Sequence, residues 1–261
     1  MTERSPAFLF LLPLAAFWPV LHWYGLRTVD GSDEPWGLLA LATAVVITVL
    51  AGSRSESTTQ PMRLGAATLA LLVYAASFHF LPHLGRAICA VVTLILIWRG
   101  VGGEVTRRPA LAGLLVLSLP LLATLQYVLG YPMRVLCGVL SVALLRLNGL
   151  AVSRDGTALL FDGMVVAIDA PCSGVRMLWV GLYLAMTLCA LRGLDLRRTL
   201  TCAMATVGAV LAGNALRTSA LFYSEAGLWP HDLHQFAGLV CFAVIAAGVI
   251  VMVRRLESVP A

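Results

Sequence analysis

Lysine is absent from this sequence of 261 residues, so all of its basic side chains are arginine. Charged residues make up only 12% of the chain, against roughly a quarter in soluble domains, whereas hydrophobic residues make up 60%. The formal net charge of +5 therefore rests on a few arginine clusters and forms no basic face or stripe. This pattern argues against a nucleic-acid partner and indicates a membrane protein with short basic loops.

The six cysteines include no CxxC pair. Neither a disulfide framework nor a metal site is indicated, and we expect no metal and no cofactor. Cysteines inside apolar runs are usually small packing residues. Cys137 and Cys172 lie outside the apolar runs, and the cysteines within them are Cys89, Cys189, Cys202 and Cys241.

Long apolar runs recur along the chain, and a membrane-spanning helix needs roughly 20 such residues. The sequence therefore predicts an all-α polytopic membrane protein that forms a single membrane domain over 1–261. The first run resembles a signal peptide in position, but we interpret it as a retained span because more spans follow. The predicted spans, about eight in number, are 7–25, 36–52, 64–83, 86–100, 110–128, 175–191, 198–216 and 236–253.

Arginine in short loops predicts the orientation, because such loops are cytoplasmic. The clusters Arg107/Arg108, Arg197/Arg198 and Arg254/Arg255 all fall on one side of the predicted spans. We therefore expect a multi-pass protein of the plasma (inner) membrane, in contact with membrane lipids, with both termini in the cytoplasm.

The segment 132–169 connects five N-terminal spans, over 7–128, to three C-terminal spans, over 172–253. Arg134 and Arg146 interrupt its apolar first part, so we predict an interfacial amphipathic helix over 132–150 and not a ninth span. Two Asp-Gly pairs follow between short apolar runs, which is typical of β-hairpins. The second part is thus predicted to be a small β-meander, and both parts are placed on the outer face.

Three groups of polar residues fall at the outer ends of the last three predicted spans. In the first, Ser173 is a candidate N-cap that places Cys172 at the start of a helix, where the helix dipole favours a thiolate. Arg176 adds a positive charge one turn further along. A cysteine that merely packs at a helix end explains the same spacing.

The second group is Asn214 and Arg217, which are three residues apart and share a helix face. The guanidinium group could stabilise an oxyanion, or it could simply extend to lipid headgroups. The third group contains His234, a candidate general acid and base, with His231 as a competitor. A nucleophile, an anion stabiliser and a proton carrier together suit acyl transfer through a thioester.

These groups resemble the motifs of the exosortase/archaeosortase family. Cys172-Ser173-Gly174-Val175-Arg176, Asn214 with Arg217, and His234 with Gly238 match the family's C-S-G-x-R, N-x-x-R and H-x-x-x-G blocks in order and spacing. The resemblance is specific over about 115–250 and implies a membrane cysteine transpeptidase or protease.

By that resemblance, Cys172 is the catalytic nucleophile, Arg217 stabilises the anion and His234 transfers protons. Arg176, Asn214 and Ser173 are supporting residues. The implied substrates are exported proteins that end in a sorting signal, composed of a short motif, a transmembrane helix and a basic tail.

Three other functions remain open from the residues alone. A small-solute transporter would place its polar groups near the middle of the membrane. A non-catalytic membrane assembly factor would not depend on Cys172 in particular. A lipid acyltransferase would carry a fatty acid on that cysteine. The sequence does not specify the sorting motif, the acceptor or an oligomeric state.

Overall fold

A computed structural model of the chain describes residues 15–29, 35–52, 61–101, 108–229 and 233–258. Regular structure in these ranges is almost entirely helical, with one small antiparallel sheet, which confirms the predicted fold class. The described helices are α1 (Trp18–Val29), α2 (Trp36–Gly52), α3 (Pro61–Ser77), α4 (His83–Val101), α5 (Pro109–Leu117), α6 (Leu122–Leu147), α7 (Val175–Arg192), α8 (Leu196–Glu225) and α9 (Leu233–Ser258).

Within the described ranges, five helices are long and apolar enough, by length and composition, to cross a membrane. Two shorter apolar helices, Trp36–Leu50 and Arg63–Ser77, coincide with the second and third predicted spans. The first predicted span, 7–25, lies partly outside the described residues. The chain is a polytopic membrane protein, and its five long candidate spans are His83–Gly100, Leu122–Leu147, Val175–Arg192, Leu196–Glu225 and Gly238–Ser258.

The helix boundaries differ most from the prediction between 110 and 150, although α3 also ends at Ser77 instead of 83 and α8 at Glu225 instead of 216. The sequence suggested a span over 110–128 and a separate interfacial helix over 132–150, whereas the structure has the short α5 followed by the 26-residue α6. The helix α5 ends before Pro120, which lacks an amide hydrogen and disfavours helical conformation in the residue before it. The second helix then continues through Pro132.

The arginines that suggested a separate interfacial helix are bonded to the protein backbone. Arg146 Nε donates to the carbonyl of Val152 at 2.8 Å, and Arg134 donates to the carbonyls of Gly130 and Ile168 at 3.3 and 3.5 Å. Charged groups are costly in an apolar helix unless they have such partners. These bonds explain why α6 continues without a break; the placement of its second half at the outer interface stays a prediction.

Residue contacts divide the chain into two compact units, and the first comprises Met1–Leu121 and Cys189–Leu196. Its core is apolar, and the rings of Phe17 and Tyr74 meet edge to face there with centroids 4.8 Å apart. One buried cluster of this unit consists of Phe17, Val20, Tyr74, Ala87, Ala90 and Leu119.

The second unit comprises Leu122–Leu188 and Arg197–Ala261, and it contains every residue that the sequence suggested for chemistry. Its sheet has the order β1 (Ser153–Asp155), β2 (Ala158–Phe161) and β3 (Met164–Ala167), with antiparallel neighbours. The predicted β-meander is therefore present.

The two turns of the sheet use glycine differently. In the second turn, Asp162 and Gly163 are the two loop residues and both have positive φ, at 47° and 75°, as an Asp-Gly type I′ turn requires. In the first turn Asp155 is still paired with Ala158, so Gly156 and Thr157 form the loop. Gly156 has φ 56°, which fits a turn with glycine in its first central position.

One face of the sheet packs on the helices of the same unit. Leu159 of β2 and Phe222 of α8 are fully buried, and Phe161 meets the ring of Phe222 edge-on with centroids 5.6 Å apart. This packing fixes the sheet beside α8, which carries Asn214 and Arg217. The buried cluster consists of Leu145, Val152, Leu159, Ile168 and Phe222.

Candidate active site

The segment that carries Cys172 is a single 3₁₀ turn, Ala170–Ser173, between β3 and α7. Asp169 enters it in an extended conformation, and its carbonyl accepts the amide of Cys172 at 2.9 Å. Gly174, with φ 85°, reverses the backbone so that α7 can begin at Val175. Cys172 is half-buried and therefore partly accessible just before a helix N-terminus, as the sequence predicted.

Ser173 fastens this turn to α6. Its buried hydroxyl donates to Oε1 of Gln126 at 2.9 Å and accepts the amide of Val175 at 3.4 Å. Gln126 in turn donates to the carbonyl of Ala170 at 3.1 Å. Ser173 thus bonds to the first residue of α7, but the residue directly before that helix is Gly174. Gln126 belongs to none of the predicted polar groups, although a lone amide within an apolar span is itself a signal.

Asn214 fastens the same turn to α8. The side chain is 1% exposed, and its Nδ2 donates to the carbonyl of Cys172 at 3.0 Å. A Cβ at Gly174 would lie 2.8 Å from Cγ of Asn214, which is closer than real contacts allow. Gly174 is therefore needed twice, for its positive φ and for the close approach of Asn214.

A second thiol, that of the buried Cys137, lies beside Asn214. Nδ2 of Asn214 is 3.4 Å from Sγ of Cys137, and that sulfur is 3.1 Å from Oγ1 of Thr218, where either group can donate. Ser141, one turn after Cys137, donates to the carbonyl of Ala215 at 3.1 Å. Sequence reasoning missed Cys137 and Thr218 as members of the site. The available signals were the position of Cys137 outside the apolar runs and the four-residue spacing of Thr218 from Asn214.

Arg217 meets α9 at a glycine. Its side chain is half-buried, and a Cβ at Gly238 would lie 3.2 Å from the Nε atom. The Nε of Arg217 and the Oδ1 of Asn214 are both buried without a hydrogen-bond partner among the described residues. The Nε of Arg217 can therefore still donate a hydrogen bond, and the Oδ1 of Asn214 can still accept one.

The remaining predicted residues are placed less completely. His234 lies in the first turn of α9, four residues before Gly238, and only its backbone belongs to the described part of the chain. His231 lies outside the described residues. Arg176 is exposed in the first turn of α7. The structure therefore brings together Cys172, Ser173 and Asn214, and places Arg217 against Gly238; the roles of Arg176 and His234 stay predictions.

Cys172 opens onto a cleft of about 500 Å³. One wall is the strand β3 with the residues that follow it, and the other wall is the last part of α8. The cleft has the size of a typical ligand pocket and combines apolar side chains with the thiol. It is lined by Leu159, Met164, Val165, Val166, Ala167, Ile168, Asp169, Cys172, Thr218, Leu221, Phe222 and Glu225.

A family model described as transmembrane exosortase (Exosortase_EpsH) matches residues 2–251, which is nearly the whole sequence. No curated protein and no solved structure shows significant similarity to the chain.

Proposed function

Because the chain belongs to the transmembrane exosortase family, we propose that it is a membrane cysteine transpeptidase or protease that cleaves the C-terminal sorting signals of exported proteins. Family membership supports a transpeptidase-like activity in the membrane. The finer assignment, with Cys172 as nucleophile, Arg217 as anion stabiliser and His234 as proton carrier, is our proposal.

The observation that carries the proposal is the meeting of three motif blocks that are far apart in the sequence. Gly174 of the cysteine block abuts Asn214, and Arg217, one turn along α8, abuts Gly238 of the histidine block. Each contact involves the glycine of its motif, and neither contact tolerates a larger residue without a shift of its neighbour. Polar residues that merely lie at the membrane interface would not require a glycine at each of these two contacts.

In the proposed first step, the thiolate of Cys172 attacks the scissile carbonyl, and a carbon–sulfur bond forms. The resulting oxyanion is stabilised by the guanidinium group of Arg217, whose buried Nε has no partner among the described residues. The carbon–nitrogen bond then breaks, and the amine of the tail leaves with a proton from His234. The product is a thioester between Cys172 and the exported protein.

In the second step, an acceptor amine or water attacks the thioester. His234 takes the proton of the acceptor, the carbon–sulfur bond breaks and the thiolate of Cys172 is restored. Ser173 and Asn214 act as positioning residues, because they hold the turn around Cys172 through Gln126 and the Cys172 carbonyl.

We further propose that the site faces the outside of the plasma membrane. Cys172 precedes the first residue of α7, and His234 lies in the first turn of α9. The arginine clusters lie at the other ends, with Arg192 in the last turn of α7 and Arg255 in the last turn of α9. Basic helix ends are preferentially cytoplasmic, so this arrangement supports a cytoplasmic C-terminus and an outer active site.

The test uses a sorting-signal reporter, defined here as a secreted protein fused to a C-terminal motif, span and arginine-rich tail from a protein of the producing organism. Reporter and enzyme are co-expressed at matched membrane levels, and tail loss is followed by gel shift. We expect cleavage by the wild type and none by Cys172→Ala. Cys89→Ala is the matched control, because Cys89 belongs to the first unit.

A second readout identifies the intermediate. Wild-type enzyme should carry a covalent reporter adduct that hydroxylamine releases, as expected of a thioester. Equal tail loss in wild type and Cys172→Ala would rule out Cys172 as the nucleophile, and a fatty-acid adduct on Cys172 would favour a lipid acyltransferase.

A further inference from the structure

The two edges of the small sheet differ in composition. The β1 edge reads Ser153-Arg154-Asp155, and β3 at the other edge reads Met164-Val165-Val166-Ala167. Charged residues on an edge strand discourage pairing with another strand, whereas an apolar, exposed edge invites it. The β3 edge has neither a charge nor a proline, although Val165 is 67% exposed. Such an edge persists where it has a partner to bind.

The register of β3 shows which backbone groups face outward. The amide of Ile168 donates to the carbonyl of Thr157 at 2.9 Å, so Ile168 points toward the β2 side of the strand. Backbone groups alternate in direction along a strand, so Met164 and Val166 also point toward β2. The N–H and C=O groups of Val165 and Ala167 therefore point away from the sheet, and no described strand pairs with them.

This open edge forms a wall of the cleft that contains Cys172. Met164 to Asp169 and Cys172 all line that cleft, and Leu221 and Phe222 of α8 form the opposite apolar wall. An extended peptide beside β3 would have backbone partners on one side and apolar contacts on the other. This is the arrangement by which sheet edges recognise peptides.

We propose that the motif segment of the substrate binds as a fourth strand against the outer edge of β3, with its scissile bond at Cys172. This inference rests on the proposed function for the identity of the peptide. The backbone groups of Val165 and Ala167 supply the affinity, and the alternate side chains of the peptide face the α8 wall at Leu221. A second copy of the chain, paired through the same edge, is the competing occupant.

The first test replaces outward-facing amides with proline. Proline is tolerated in an edge strand where its missing N–H faces outward, so Val165→Pro and Ala167→Pro should keep the wild-type melting temperature. Each should lower cleavage of the sorting-signal reporter by about three- to tenfold, because one backbone hydrogen bond to the substrate is lost. Val165→Ala is the reference for Val165→Pro, since both remove the isopropyl group and only proline removes the N–H.

The contrasting variant is Val166→Pro, whose amide faces β2. It should lower the melting temperature, because it removes a bond within the sheet. If Val165→Pro and Ala167→Pro cleave the reporter as fast as Val165→Ala and the wild type, the fourth-strand proposal is wrong while the proposed reaction stands.

The second test measures binding without chemistry. The Cys172→Ala enzyme, in lipid nanodiscs, carries a benzophenone amino acid at position 165 and is irradiated with the intact reporter. We expect a crosslink to the motif segment of the reporter, because Val165 lines the cleft. A crosslink without cleavage by the wild type would keep the binding site and reject the reaction. A crosslink between two enzyme chains, or none to the motif, would reject the fourth strand.

Discussion

The two units of the molecule differ in where their buried serine, threonine and asparagine side chains find partners, although the second unit also has local bonds from Thr206 and Ser219. In the first unit, the buried hydroxyls of Thr93 and Ser118 donate to carbonyls only four and three residues earlier in the chain. In the second unit, Ser141, Ser173 and Asn214 bond to atoms 42 to 74 residues away. Local bonds accompany helices that pack through apolar contacts, whereas the long-range bonds fix segments relative to one another around Cys172.

This comparison separates stability from function. A local hydroxyl bond adds little, because the helix already satisfies the acceptor carbonyl. A long-range bond to the Cys172 carbonyl determines where the thiol lies. Removing a long-range bond in the second unit should therefore have a large effect, and removing a local hydroxyl bond should have a small effect in either unit.

The largest expected effect is that of Gly174→Ala. An alanine at this position would be strained by the backbone φ of 85°, and its Cβ would lie 2.8 Å from Cγ of Asn214. Left-handed backbone strain and overpacking together should cost about 2–4 kcal/mol in the free energy of unfolding. The melting temperature in lipid nanodiscs checks this, and reporter cleavage should fall below detection.

Gly149→Ala is the matched control for this glycine. Gly149 has a nearly identical φ of 83°, but a Cβ there would meet nothing within 4 Å. The free energy of unfolding of Gly149→Ala should fall only by the cost of the backbone strain, about 1–2 kcal/mol. Reporter cleavage should be kept. Equal losses of stability and cleavage in the two variants would show that the approach of Asn214 to Gly174 has no role.

An intermediate effect is expected for Asn214→Leu, which keeps the approximate shape of the side chain and removes the bond to the Cys172 carbonyl. A lost hydrogen bond that leaves a buried acceptor unpaired costs about 1–3 kcal/mol. If the same free energy is added to the activation barrier because the thiol is displaced, reporter cleavage should decrease by about 5- to 150-fold.

The counterpart in the first unit is Thr93→Val, which removes a buried hydroxyl of similar shape. Its stability should change by less than about 0.5 kcal/mol, and cleavage should match the wild type. A large loss of cleavage with Thr93→Val would break the contrast between the two units.

Among the residues of the candidate site, the smallest effect is expected for Gly238→Ala, because the atom that a Cβ would crowd, Arg217 Nε at 3.2 Å, belongs to a flexible side chain. The guanidinium group should shift by a few tenths of an ångström, and cleavage should fall by about two- to tenfold through kcat. Gly248→Ala, in the same helix and with open space around its Cβ, is the control and should leave cleavage unchanged. The reverse ranking of these two variants would remove Gly238 from the site.

Much of this fold could be predicted from local patterns. Apolar runs predicted α7 nearly to its ends and located α8 and α9, although α8 continues to Glu225, well past its predicted end at 216. Two Asp-Gly pairs predicted the meander. The division between α5 and α6 could not be predicted in the same way, because Arg134 and Arg146 look like interruptions until their carbonyl partners are known. Partners that are distant in the sequence leave no periodic signal.

The site shows the same limit. Motif spacing indicated Cys172, Asn214 and Arg217, because each lies in a recognisable block. Gln126 and Cys137 lie in no motif, and only the fold shows that they surround the cysteine turn. The purpose of Gly174 was likewise hidden, since a glycine in a motif does not reveal which side chain needs its space.

The contact between Arg217 and Gly238 has a consequence for the biosynthesis of the enzyme. Ribosomes deliver the chain from its N-terminus, so Cys172, Asn214 and Arg217 are synthesised before α9 supplies the glycine surface. In a nascent chain that has not yet inserted α9, Arg217 therefore lacks its contact with Gly238 although Cys172 is already present. Under the proposed reaction, we therefore expect cleavage activity to arise only after α9 has been synthesised.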